Sequence, residues 1–185
     1  AKRVYGRTIP SSRSDQRFLV LNQPVGVVGA ITPWNYPVSM VTRKVAPALA
    51  AGCTIVVKPA EATPLCAKAV FHILEKASFQ PGVVNLVTAE NPKPIGEMFI
   101  NDERIRKITF TGSTKIGKML AEGAGRGLKR ISLELGGHAP FIVCADADPV
   151  HAAKGLSLVK FLNSGQACIS PNRIYVHAQQ EKAFL

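Results

Sequence analysis

Short apolar runs rich in Val and Ile alternate with helix-length segments from Val25 to Leu135, and this alternation constrains the chain more than any other feature. Val25–Ile31, Thr54–Val57, Val83–Val87, Ile105–Phe110 and Arg130–Leu135 read as strands. Between them, Val38–Ala51, Thr63–Ser78, Pro94–Ile100 and Lys115–Ala124 read as helices. Val25–Ile31 is almost continuously apolar, the mark of a strand covered on both faces. Strands separated by helices of this length predict right-handed βαβ units and an α/β fold with a Rossmann-like parallel sheet. Thr63 is placed to cap the second helix, with Pro64 at its first position.

The flanks differ. Residues 1–24 are polar and hold two short strand-like pieces around Pro10–Ser14, which predicts a hairpin arm. After Gly136-Gly137 the pattern restarts with a strand at Phe141–Val143, a helix at Pro149–Asn163 and a strand at Arg173–His177. The division expected is therefore an arm over 1–24, a nucleotide-binding domain over 25–136, and the start of a second α/β domain over 137–185. A last lobe of that size is marginal alone, so the chain reads as a fragment of a longer protein.

Composition excludes several classes. With 46% hydrophobic residues the 185-residue chain has the apolar content for a core. The longest uncharged apolar stretch, Val45–Val57, is too short to span a bilayer and is interrupted by Pro47 and Gly52. The N-terminus lacks the apolar core of a secretory signal. Cys53, Cys66, Cys144 and Cys168 contain no C-x-x-C pair, and the four histidines are scattered, so no metal site is expected. Cys53 and Cys144 read as buried small hydrophobes, and a reducing cytoplasm fits these thiols. The net charge of +11 permits nucleic-acid binding, but the basic residues are dispersed without aromatic interleaving, and neither nucleic acid nor membrane is expected as a partner.

Five short motifs carry chemistry. Asn163-Ser164-Gly165-Gln166-Ala167-Cys168 puts a thiol after a glycine-containing turn, where a substrate can reach it; a loop cysteine can equally be inert. Glu134 ends an apolar strand beside Gly-Gly, where partial burial would suit it to general-base work; the alternative is a solvated end-of-strand carboxylate. In Thr32-Pro33-Trp34-Asn35-Tyr36-Pro37 two prolines stiffen a loop whose Asn35 amide can donate to an oxyanion, or simply serve as a turn or cap residue. Lys58-Pro59-Ala60-Glu61 offers a donor and an acceptor suited to ribose hydroxyls, or a surface salt bridge. Phe110-Thr111-Gly112-Ser113, leading from strand to helix, suits a pyrophosphate at helix amides, although it is not the G-x-G-x-x-G pattern.

In this order the five motifs resemble the NAD(P)-dependent aldehyde dehydrogenase superfamily, with 34 residues from Glu134 to Cys168 (168 − 134) as expected there. The resemblance covers essentially the whole chain and corresponds to the middle of a longer subunit. It implies that Cys168 attacks an aldehyde to form a thiohemiacetal, that Asn35 and the Cys168 backbone N–H hold the oxyanion, and that hydride passes to the nicotinamide. Glu134 would activate the water that hydrolyses the resulting thioester. It further implies that Lys58 and Glu61 contact the adenosine ribose, that Gly112 and Ser113 face the pyrophosphate, and that Trp34 lies beside the cofactor. Thr32, Pro33, Pro59, Ala60 and Leu135 would supply neighbouring backbone. Glu61 favours the free 2′-hydroxyl of NAD over the phosphate of NADP; Lys58 pulls the other way, so NAD is expected and NADP possible.

Within the superfamily the chain looks most like the branch that oxidises succinate semialdehyde to succinate. Tyr5–Pro10, Val41–Cys53 and His138–Val143 carry that likeness, and Arg43 matches an arginine that holds the distal carboxylate of the substrate. Two positions depart from the branch. Leu162 stands where a second arginine is usual, which leaves a different semialdehyde such as glutarate semialdehyde open. Ser170 stands where some members carry a redox-switch cysteine, so no such switch is expected. A homodimer or homotetramer is expected of the full-length protein, with the arm as its assembly element. The competing reading is a catalytically incomplete nucleotide-binding fragment.

Overall fold

The structure, a computed structural model, describes residues 2–185. It divides into two compact units, one ending at Glu134 and one beginning at Leu135. In the first unit a hairpin of β1 (Arg7–Ile9) and β2 (Phe18–Val20) pairs antiparallel, with Thr8 opposite Leu19. It leaves Ile9, Phe18 and Leu19 exposed.

The sheet of this unit contains β3 (Val27–Ile31), β4 (Thr54–Lys58), β5 (Val84–Leu86), β6 (Ile105–Gly112) and β7 (Arg130–Leu135). Their spatial order is β5-β4-β3-β6-β7. The chain lays down β3, builds outward through β4 and β5, then returns to the other side of β3 with β6. The pairs β3–β4, β4–β5 and β3–β6 are parallel, with Ala30 opposite both Val57 and Thr109. The first strand starts at Val27 rather than Val25 because Gly26, at φ +109°, turns the chain immediately before it.

Alternation along the strands separates two cores. Val28, Ala30, Ile55 and Val57 pack with Val41 and Val45 of α1 (Pro37–Ala50) and with Ala67 and Phe71 of α2 (Pro64–Lys76). The opposite-facing Val27, Ile31 and Val56 pack with Ile95 and Phe99 of α3 (Lys93–Asn101) and Ala124 of α4 (Thr114–Arg126). Helices thus cover both faces of the sheet. Thr63 precedes α2 as expected, but its side chain makes no capping hydrogen bond, and its buried hydroxyl has no partner among the described residues.

The second unit pairs β8 (Phe141–Val143) in parallel with β9 (Ile174–Val176), connected through α5 (Pro149–Lys160). Asp148 caps α5 by accepting a hydrogen bond from the His151 backbone N–H at 2.9 Å. The helix stops at Lys160, short of the expected Asn163, because Asn163 (φ 50°), Ser164 (φ 58°) and Gly165 (φ 77°) are left-handed and cannot continue it. Cys144, expected inside, is exposed: β8 is only three residues long, and the buried Val143 leaves its successor in a turn facing outward.

Gly29 has no room for a side chain on the central strand. A β-carbon there would lie 2.8 Å from Cδ2 and 2.9 Å from Cγ of Phe99, whose ring is fully buried. Gly29→Ala is expected to destabilise the unit by about 2 kcal/mol through overpacking, measured as a lowered urea midpoint with an unchanged m-value; an unaltered midpoint would mean that the ring has room to move.

Candidate active site

The order β5-β4-β3-β6-β7 places a topological switch point between β3 and β6. Chains leaving the carboxyl ends of these two parallel strands turn in opposite directions and open a crevice, where ligands of open α/β sheets bind. Three of the five sequence motifs are the loops at the carboxyl ends of three adjacent strands. Thr32–Tyr36 follows β3, Pro59–Thr63 follows β4, and Ser113 follows β6. Folding thereby gathers segments about 80 residues apart in sequence (113 − 32 = 81).

Each loop is built differently. The Thr32 backbone N–H donates to the Lys58 carbonyl at 3.1 Å, which joins the first loop to the end of β4. Thr32 is buried, Pro33 and Asn35 are half-buried, and Trp34 is 50% exposed. Tyr36, not Asn35, is the capping residue of α1, and Pro37 takes the first helical position, so Asn35 is not the helix cap.

Lys58 is 4% exposed and its ammonium pairs with the Glu61 carboxylate. Only one half of the pair is buried: Pro59 and Ala60 are buried with Lys58, whereas the Glu61 side chain is 38% exposed. Burial works against the Glu61 charge, but the hydrogen bond and charge of Lys58 outweigh it and hold the carboxyl below its ordinary value. The β4 loop therefore presents an anchored cation and an ionised acceptor side by side.

At β6 the Ser113 hydroxyl caps α4 by accepting from the Ile116 backbone N–H at 3.4 Å. Free amides at a helix N-terminus attract anionic groups. Gly112 has an internal reason to be glycine as well: a β-carbon there would come within 2.5 Å of Cζ of Phe110.

Glu134 is exposed, which matches the solvated end-of-strand alternative and not partial burial. The reason is its strand: β7 is an edge strand whose residues alternate between half-buried and exposed, and Glu134 falls on the open side. Its charge nevertheless acts on Lys44, a residue that the motifs did not identify. Lys44 is 8% exposed in α1 and donates to Oγ1 of Thr109 in β6 at 2.9 Å. Burial pushes its ammonium down to about 8; Glu134 pulls upward, and Arg43 and Lys107 push further down. The sequence carried a signal for it, since Met40, Val41, Lys44 and Val45 form one buried helical stripe with a lysine in it. Arg43, the next residue round the helix, is exposed.

Four buried hydroxyls, on Thr32, Tyr36, Thr63 and Thr111, have no hydrogen-bond partner among the described residues. All four lie at or just beyond the carboxyl ends of β3, β4 and β6. Buried hydroxyls are costly when unsatisfied, and their concentration at one edge suits a polar ligand there. With the Lys58–Glu61 pair and the α4 amides, this donor and acceptor set fits a dinucleotide.

The remaining sequence-derived positions lie in the second unit. Leu135 begins it and is half-buried. Cys168 is exposed, in a turn where the Ser170 backbone N–H donates to the Ala167 carbonyl at 3.0 Å. Leu162 is 43% exposed. No group of three His, Cys, Asp or Glu able to hold a metal occurs among the described residues, and no helix there is long and apolar enough to cross a membrane.

A parallel sheet with helices on both faces and its loops collected at a switch point defines the doubly wound α/β class. More narrowly, the aldehyde dehydrogenase family pattern matches residues 1–185, and the chain belongs to that family. It is 54% identical over 178 residues to a probable succinate-semialdehyde dehydrogenase (NADP(+)) of Sinorhizobium fredii, covering 96% of this chain and 36% of the relative. It is 56% identical over 176 residues to the mitochondrial succinate-semialdehyde dehydrogenase of Arabidopsis thaliana, covering 95% of this chain and 33% of that one. The crystal structure of an aldehyde dehydrogenase from Brucella melitensis biovar abortus 2308 superposes with a TM-score of 0.90 at 50% identity, over 99% of this chain and 38% of the other. The chain thus spans about a third of the length of the curated relatives it matches.

The buried ammonium predicts a pH effect. The folded-state pKa of Lys44 lies below the ordinary lysine value of 10.5, so the unfolded chain binds more protons between pH 8 and 10.5. Stability should therefore rise with pH across that window, by about 2 kcal/mol from this group. Urea unfolding at pH 7.5 and pH 10 checks this: Lys44→Met should remove the rise, and an equal rise in both proteins would assign it elsewhere.

Proposed function

We propose that this chain is the nucleotide-binding and nucleophile-bearing part of an enzyme that oxidises a carboxylate-bearing semialdehyde, with succinate semialdehyde as the preferred substrate. The observation that carries the proposal is the gathering of the Thr32–Tyr36, Lys58–Glu61 and Gly112–Ser113 segments at one sheet edge beside a switch point.

In this reading Lys58 and Glu61 hold the adenosine ribose, the α4 amides and Ser113 hold the pyrophosphate, and Trp34 lies along the cofactor, with Thr32, Pro33, Pro59, Ala60, Gly112 and Leu135 lending backbone. The nicotinamide group, when bound, supplies the hydride acceptor. The Cys168 thiolate adds to the aldehyde carbon, and the carbonyl oxygen becomes an oxyanion. The Asn35 amide and the Cys168 backbone N–H donate to that oxyanion. After oxidation to the thioester, Glu134 takes a proton from the water that attacks the acyl carbon, which releases the acid and returns the thiol. Arg43 offers a guanidinium fork to the distal carboxylate. The exposed Ile9, Phe18 and Leu19 of the hairpin support its reading as an assembly element of the full-length protein.

Cofactor choice turns on Glu61. Its ionised carboxylate repels a 2′-phosphate, and Lys58, already engaged by that carboxylate, is less available to bind one. NAD is the cofactor proposed. Trp34, the single tryptophan, reports binding: NADH should quench its fluorescence at lower concentration than NADPH does, and Glu61→Gln should narrow the difference about tenfold. Tighter binding of NADPH by the unmodified chain would reject the assignment.

In a complete subunit carrying this segment, Cys168→Ala should abolish turnover. Asn35→Ala should lower kcat by about 10²–10³. Glu134→Gln should leave acylation intact, so that a single burst of reduced cofactor precedes a slow steady state. Undiminished turnover by the Cys168 variant would end the proposal.

A further inference from the structure

We infer that Ser170 is a positioning residue for the Cys168 loop, an inference that rests on the assignment of Cys168 as nucleophile. Ser170 is 4% exposed, and its hydroxyl donates to the carbonyl oxygen of Lys160 at 2.9 Å. Lys160 is the last residue of α5, where backbone carbonyls have no partner inside the helix. One side-chain hydrogen bond thus satisfies a helix-end carbonyl and closes the ring of residues 160–170 that contains Cys168.

That ring needs a clasp. Asn163, Ser164 and Gly165 are left-handed in succession, at φ 50°, 58° and 77°. Asn163 tolerates this region, whereas the Ser164 side chain disfavours it. Three backbone bonds inside it are short-range turns: Ser164 N–H to Phe161 O at 3.0 Å, Gln166 N–H to Asn163 O at 3.1 Å, and Ser170 N–H to Ala167 O at 3.0 Å. None of these joins the Cys168 end of the loop to the helix. Ser170 does, and the backbone at Gly165 packs against the same joint: a β-carbon there would lie 3.4 Å from the Lys160 carbonyl oxygen and 3.9 Å from the Ser170 hydroxyl. Lys160 extends the connection by donating its ammonium to the Asn172 side-chain oxygen at 2.9 Å, and the Asn172 backbone N–H donates to the His138 carbonyl at 2.8 Å.

The identity of the residue at 170 matters because a serine hydroxyl is a good donor, whereas an alanine offers none and a thiol is a weak one. A nucleophile displaced by a fraction of an ångström loses rate without losing cofactor affinity.

Two measurements test this. In the 185-residue chain, Ser170→Ala should speed hydrogen exchange of the amides between Asn163 and Cys168 about fivefold, the loss expected from one hydrogen bond, with β8 and β9 unchanged. In a complete subunit, Ser170→Ala should lower kcat about tenfold with the KM for cofactor unchanged, and Ser170→Thr, which keeps the hydroxyl, should restore most of it. Unaltered exchange and unaltered kcat in the alanine variant would overturn the clasp while leaving Cys168 as nucleophile. Turnover by a Cys168→Ala subunit would instead remove the nucleophile, and with it the catalytic meaning of Ser170, whatever the exchange shows. If the alanine variant does not fold in the complete subunit, the exchange measurement on the shorter chain decides, and loss of protection in β8 and β9 together with the loop would count against a local role.

Discussion

Burial of β3 on both edges and both faces is the constraint on which the first unit depends. β3 has parallel neighbours on both sides, so its backbone is committed to the sheet along both edges, with one register shift against β6 at Val27/Val28. Its faces admit only small or β-branched side chains, and at Gly29 none at all, because Phe99 occupies the space. Once β3 is central, the outward path through β4 and β5 must be followed by a return across it to β6. The crevice at the carboxyl edge is a consequence of that return, not a separate feature added to the fold.

Charge is handled in two ways at that edge. Lys58 is buried but faces Glu61, so its cost of desolvation is offset locally and the pair remains polar enough to meet a ribose. Lys44 is buried against a neutral hydroxyl, and the counter-charge that acts on it, Glu134, sits on an edge strand. Its ammonium is correspondingly held well below the usual lysine range.

Local pattern made much of this legible. The apolar runs around Val28, Val56 and Ile108 and the Pro-initiated helices announced the strand and helix order, since each element's period is written in contiguous residues. The loop motifs were legible for the same reason. The misses have specific causes. The helix read through Asn163 stops at Lys160, because three left-handed residues leave no periodic signature. Cys144 lies outside because β8 is too short to bury its successor. The choice between a half-buried and a solvated Glu134 stayed open in the sequence because edge position is a property of strand order. Lys44 was visible as a lysine on an apolar stripe, but its hydroxyl partner Thr109 lies 65 residues away (109 − 44).

Sequence alone was sufficient for the element order, the class of fold and the residue types able to do the chemistry, because backbone propensity and side-chain reactivity are local properties. Tertiary structure decided which loops share an edge, which lysine is paired and which is pressed toward neutrality, and how the Cys168 loop is held. Those outcomes depend on distances between segments remote along the chain and on the exclusion of water between them, neither of which any contiguous stretch of residues encodes.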